Sequence, residues 1–153
     1  MTTRLLVIAS RNSKKVGEIA GLLDLFEITV RSVGEFEGVA EVVEDGATFG
    51  ENAALKATQT AVALGQWTLG EDSGLCVDAL DGGPGIRSAR FSGEGASDLE
   101  NNELLIASLA DVPEAKRGAE YVCHVAVSDP EGVVRLSVEA TCRGRIVDDV
   151  QKN

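Results

Sequence analysis

Glu71 and Asp72 are adjacent acids followed by Ser73 and Gly74, in a polar patch between two apolar stretches, Trp67–Leu69 and Leu75–Leu80. Neighbouring carboxylates beside buried strands are costly unless water, hydrogen bonds or a cation compensates them. Hard oxygen donors of this kind suit magnesium, which binds through one or two carboxylates together with substrate phosphates. The alternative is a turn in which Asp72 and Ser73 make local hydrogen bonds. Glu44 is a third candidate carboxylate. A second chemical segment is Ser10-Arg11-Asn12-Ser13-Lys14-Lys15, polar and placed between an apolar run and a helical pattern. Exposed N–H groups at a helix start favour anions, whereas the helix dipole disfavours Lys14 and Lys15 there. Either a bound phosphate chain compensates the two lysines or they point into water. The segment is not a P-loop, because G-x-x-x-x-G-K-[ST] is absent.

The elements that position these residues follow from periodicity. Leu5–Ala9 is a short apolar run expected to be a buried strand, and Val16, Ile19, Ala20 and Leu23 recur at helical spacing. A second strand is expected over Phe26–Val30, then an acidic loop ending near Gly46. Thr48 and Glu51 form a T-x-x-E capping box for a helix through Leu64, stopped by Gly65. Two short strands are expected at Trp67–Leu69 and Leu75–Leu80, and loop over the glycine-rich stretch from Asp81 to Gly95. Its Arg87 and Arg90 either steer phosphate or form structural ion pairs. Ser97 and Glu100 cap a further helix, and Tyr121–Ser128 with Val133–Cys142 reads as a hairpin. His124 is expected to be a packed core residue. Helices interleaved with strands make an α/β domain.

Composition narrows the function classes. The 153 residues carry a net charge of −11 and 44% apolar residues, which fits one globular domain over residues 1–153. That charge argues against a general nucleic-acid surface, though not against a small polyanion accompanied by a divalent cation. Apolar runs are too short to span a membrane, and the N-terminus lacks signal-peptide organisation. Three cysteines without C-x-x-C spacing are expected to be reduced thiols in the cytoplasm.

Four segments together resemble the inosine/xanthosine triphosphate pyrophosphatases. They are Ser10-x-Asn12-x-x-Lys15; Glu44-Asp45-Gly46-x-Thr48-Phe49-x-Glu51-Asn52-Ala53-x-x-Lys56-Ala57; Glu71-Asp72-Ser73-Gly74-Leu75-x-Val77; and Gly82-Gly83-Pro84-Gly85-Ile86-x-Ser88-Ala89-Arg90. Each is weak alone, but the ordered set is specific and spans essentially the whole sequence. The resemblance implies an elongated mixed sheet flanked by helices, with two lobes and a groove between them. It implies magnesium-dependent hydrolysis of non-canonical purine nucleoside triphosphates to monophosphate and pyrophosphate, by a homodimer that binds neither nucleic acid nor membrane. Carried over by position, Ser10, Arg11, Asn12, Ser13, Lys14, Lys15, Lys56 and Ser73 contact substrate. Glu44 and Asp72 serve magnesium with Glu71 as a helper, while Asp72 and Lys15 are catalytic.

The sequence departs from the family pattern in two places. Ser10 and Arg11 stand where the family usually has Thr and Gly, so Arg11 either crowds the turn or adds a phosphate contact. The 153 residues also lack the family's base-reading Phe-Gly-Tyr-Asp and Ser-His-Arg motifs, so a C-terminally truncated member that discriminates poorly between purine bases is expected. Two other readings follow from the same motifs: a silent nucleotide-binding or dimerisation remnant, and a septum-inhibitor-type pyrophosphatase.

Overall fold

The computed structural model describes residues 4–148. Among the described residues, five strands form one sheet in the order β2-β1-β3-β4-β5. Strand β1 (Arg4–Ile8) leads through helix α1 (Ser13–Leu23) to β2 (Ile28–Ser32), and the two strands pair in parallel with Leu6 opposite Val30. Helix α2 (Phe49–Leu64) returns the chain to β3 (Thr68–Val77), which pairs with β1 in parallel, Val7 opposite Thr68. Helix α3 (Asp98–Ser108) precedes the hairpin of β4 (Gly118–Ser128) and β5 (Val134–Arg145). Asp129 closes that hairpin by accepting from the N–H groups of Glu131 and Val133, each at 3.0 Å. The result is the α/β architecture expected from sequence.

The chain divides into two units. Residues 1–72 and 124–139 make the first; residues 73–123 and 140–153 make the second. In the first, Val7 and Ile8 are buried, and Ala53, Ala57 and Ala126 pack together. The α2 alanines recur every four residues and keep that helix face thin. The thin face allows α2 to lie directly on Gly70 of β3. A Cβ at Gly70 would collide with the Ala53 carbonyl oxygen and lie 2.7 Å from the Ala57 nitrogen. In the second unit, Val77, Leu105, Leu109 and Ala119 form the core. Arg143 donates to both carboxylate oxygens of Asp78 there, and the buried Arg117 pairs with Asp148.

Several expectations need correction. Trp67–Leu69 and Leu75–Leu80 are not separate strands: β3 is continuous through Gly70-Glu71-Asp72-Ser73-Gly74 and ends at Val77, and Asp78–Leu80 is a 3-10 turn. The second strand begins at Ile28, because Asp24–Phe26 winds into a 3-10 turn and Glu27 adopts φ 52°. The glycine-rich stretch contains a 3-10 helix, Gly85–Arg90. Only half of the first capping box forms. Thr48 accepts from the Glu51 N–H, but the Glu51 carboxylate accepts from Ala47 instead. The Ser97–Glu100 box forms in both directions.

Candidate functional site

The turn after β1 is built by its own polar side chains. Ser10 Oγ accepts from the Asn12 N–H at 3.1 Å, and Asn12 Oδ1 accepts from Lys14 and Lys15 at 3.1 and 3.3 Å. Asn12 is thus the N-cap of α1, satisfying donors that the helix leaves open. Ser32 Oγ donates to the Ser10 carbonyl at 2.7 Å and ties the turn to β2. Ser13 and Lys14 are exposed on the first turn of α1. Arg11 does not crowd this turn. It reaches across to the Val39 carbonyl at 3.0 Å, at the start of the acidic loop.

Lys15 leaves the turn and pairs with Glu71 at 2.6 Å, the Glu71 side chain being 13% exposed. Lys56 of α2 pairs with Glu44 at 2.7 Å. Asn52, one helical turn before Lys56, donates from Nδ2 to Asp72 Oδ2 at 3.1 Å. The first unit therefore brings together the Ser10–Lys15 turn, Glu44, Lys56, Glu71 and Asp72. Ser10, Arg11, Glu44 and Lys56 line a cleft of about 180 Å³. Ser73 belongs to the second unit, where it lines a cleft of about 360 Å³ with Gly74, Ser88, Phe91, Asn101 and Tyr121.

Asp72 is half-buried in mid-strand, so the turn alternative is removed. Burial pushes its carboxyl above the ordinary range, against the lowering effect of the Asn52 hydrogen bond and the Lys56 charge. Glu44 and Glu71 push it further up, so both lie within electrostatic reach of Asp72. A divalent cation would relieve that crowding, and carboxylate oxygens are donors of a kind that could hold magnesium. Among the described residues, no three His, Cys, Asp or Glu side chains form a ready-made metal cluster. Lys15 and Lys56 hold two of the acids instead. Such a set suits a cation that brings phosphate oxygens with it, rather than a resident ion in an all-protein cage.

The other candidates resolve differently. Arg90 pairs with Glu94 at 3.9 Å, which favours a structural role, and Arg87 is exposed. His124 is packed, yet it is not a plain core residue. Its Nδ1 faces Glu139 at 3.1 Å and its Nε2 faces Ser137 at 2.6 Å, while the ring lies against Gly50. The sequence alone assigns Asn52 no role. The usable signal was a polar side chain four residues before Lys56 on the alanine face of α2.

A model of the Ham1 family matches residues 6–153. The chain belongs to the Ham1 family. A dITP/XTP pyrophosphatase of Rhodopirellula baltica is 48% identical over 144 residues, covering 94% of this chain and 69% of the relative. One from Geobacter sulfurreducens is 46% identical, with 94% and 71% covered. Among solved structures, a HAM1 protein from Coxiella burnetii superimposes with a TM-score of 0.88 at 33% identity, covering 97% of this chain and 75% of that one. The Staphylococcus aureus Ham1 protein gives a TM-score of 0.83 at 36% identity, covering 95% and 73%. Both Ham1 structures carry the same α/β fold. Among the described residues, no helix is long and apolar enough to cross a membrane.

Proposed function

We propose that this Ham1 family chain hydrolyses non-canonical purine nucleoside triphosphates, the inosine and xanthosine forms and their deoxy counterparts, to monophosphate and pyrophosphate. The observation that carries the reading is the alternation of charge around Asp72. Lys15 is held on Glu71 and Lys56 on Glu44. Both lysines can turn to phosphate oxygens of a triphosphate, which would free Glu71 and Glu44 for an accompanying cation. Glu44 and Asp72 would hold magnesium, with Glu71 as a helper, and the metal would supply charge neutralisation on the phosphate oxygens. The α1 turn, with Ser10, Arg11, Asn12, Ser13 and Lys14, receives the phosphate chain, and Ser73 contacts substrate. Asp72 takes a proton from water, whose oxygen attacks phosphorus as the α–β anhydride bond breaks and pyrophosphate leaves. Phosphoryl chemistry of this kind rests on positioning and charge compensation rather than on a covalent intermediate.

Both relatives are dITP/XTP pyrophosphatases, which supports the substrate class. The reading also carries a cytoplasmic setting and a homodimer whose mass light scattering measures. Incubation with dITP, XTP and dATP, with and without magnesium, tests the activity. Pyrophosphate should appear from dITP and XTP only with the metal, and more slowly from dATP. Orthophosphate as the first product, or equal rates without metal, would overturn the proposal.

Lys15 offers a sharper test. Lys15→Ala should weaken triphosphate binding by about 10- to 150-fold, the loss of one charge-assisted hydrogen bond worth about 1.5–3 kcal/mol. Affinity for the nucleoside, which has no phosphate, should stay unchanged in calorimetric titration. Equal losses for both ligands would remove Lys15 from phosphate binding.

A further inference from the structure

Asn52 is 2% exposed, and a buried amide must place all its polar atoms. Its Oδ1 accepts from the Gly46 N–H at 2.8 Å. A backbone N–H can only donate, so this contact fixes which end of the amide is oxygen. Nδ2 is thereby aimed at Asp72 Oδ2, which has to accept. The same amide grips the acidic loop two residues after Glu44, while Lys56, four residues along α2, grips Glu44 itself. Gly46 has to be glycine for this to work, since a Cβ there would lie 2.6 Å from Asn52 Oδ1 and 2.8 Å from the Glu51 Cβ. The first-turn bond from the Asn52 N–H to the Thr48 carbonyl, at 3.1 Å, holds Asn52 rigidly in α2.

We propose that Asn52 is a positioning residue for the hydrolysis: it orients the Asp72 carboxylate and fixes the Glu44 loop to it through one buried amide. This rests on the functional reading above and adds a residue that touches neither water nor phosphate. Asn52 acts through Asp72, so its effect belongs in turnover rather than in binding. Lys15 and the α1 turn that receive the triphosphate are anchored elsewhere, on Glu71, Ser10, Asn12 and Ser32.

Asn52→Asp is the informative variant. It keeps an acceptor for the Gly46 N–H but replaces the donor facing Asp72 with a second acceptor. Asn52→Ser removes the donor without adding charge. In both, kcat should fall by about 10- to 100-fold, the scale of a misplaced reacting group. Affinity for the non-hydrolysable α,β-imido analogue of inosine triphosphate, with magnesium, should stay within about twofold in Asn52→Ser. In an Asp72→Asn background, Asn52→Ser should lower kcat no further, because the two residues act as one unit. Unchanged kcat in folded variants, or losses that multiply in the double variant, would overturn the inference. A parent chain that releases no pyrophosphate refutes the functional reading but still leaves Asn52 testable by side-chain amide NMR. The Asn52 NH₂ signals should then shift on Asp72→Asn, and signals that ignore that substitution would refute the placement.

Discussion

Asp72→Asn is expected to lower kcat by about 10²- to 10⁴-fold, the usual contribution of a positioned general base. Its melting temperature at pH 7 should equal or exceed that of the parent. The two halves of this expectation come from one environment. Burial is the largest influence on Asp72 and raises its proton affinity above the ordinary carboxylate value, a direction that Glu44 and Glu71 reinforce. A carboxyl raised in the folded state contributes stability below its unfolded pKa and loses it as pH rises through the folded pKa. At neutral pH the ionised Asp72 is therefore a cost to folding, and asparagine, nearly the same shape, removes it. The melting advantage should shrink as pH falls through the raised value toward 3.8, the ordinary carboxylate value. Thermal scans from pH 3 to pH 8 measure this. A variant that unfolds at neutral pH would make Asp72 structural, and retained turnover would remove it from the chemistry.

Gly70→Ala should be the most damaging single-methyl change in the first unit. The added carbon meets backbone on α2, the Ala53 carbonyl and the Ala57 nitrogen, and backbone within a helix cannot swing aside as a side chain can. Overpacking of this kind costs about 1–3 kcal/mol and occasionally more. For a chain of this size that lowers the melting temperature by about 2–4 °C per kcal/mol. The shift also has a direction, since α2 must move off β3 and carries Asn52 and Lys56 with it. Turnover should fall together with stability. Gly17→Ala in α1 is the control: nothing lies within 4 Å of its added Cβ, and Ala should stabilise that helix by up to about 1 kcal/mol. Equal melting temperatures for Gly70→Ala and the parent would refute the close packing described for α2.

These two sites also show why sequence reading went as far as it did. Helices α1, α2 and α3 were legible because their apolar spacing and caps are local signals. Strand β3 was broken in two because Gly70, Glu71, Asp72 and Gly74 are all poor strand formers taken singly. A strand placed between β1 and β4 in the sheet takes its conformation from pairing, which no local window contains. In the site, the order of motifs identified Lys15, Glu44, Lys56, Glu71 and Asp72 as candidates. It did not contain the pairing of Lys15 with Glu71 across 56 positions or of Asn52 with Asp72 across 20. Asn52 escaped notice because asparagine inside a helix reads as a solvated residue until the loop and strand it joins are folded against it. His124 was read as core for the opposite reason: its apolar neighbours along β4 conceal two polar partners that come from β5.

That histidine is the single one in the sequence, and its ring has both nitrogens engaged. An ionised carboxylate only accepts, so a ring with a single N–H carries it on Nδ1, toward Glu139, and accepts from the Ser137 hydroxyl at Nε2. One tautomer is thereby selected, with its N–H held between β4 and β5 and its edge against Gly50 at the start of α2. Selective ¹⁵N labelling of histidine would place one assignable resonance at the meeting point of three elements. Two residues to either side of Gly50 stand Thr48, the N-cap of α2, and Asn52, the buried amide that orients Asp72. Nature has supplied the chain with a built-in spectroscopic gauge, and strain at the foot of α2 could be followed on it without introducing any foreign label.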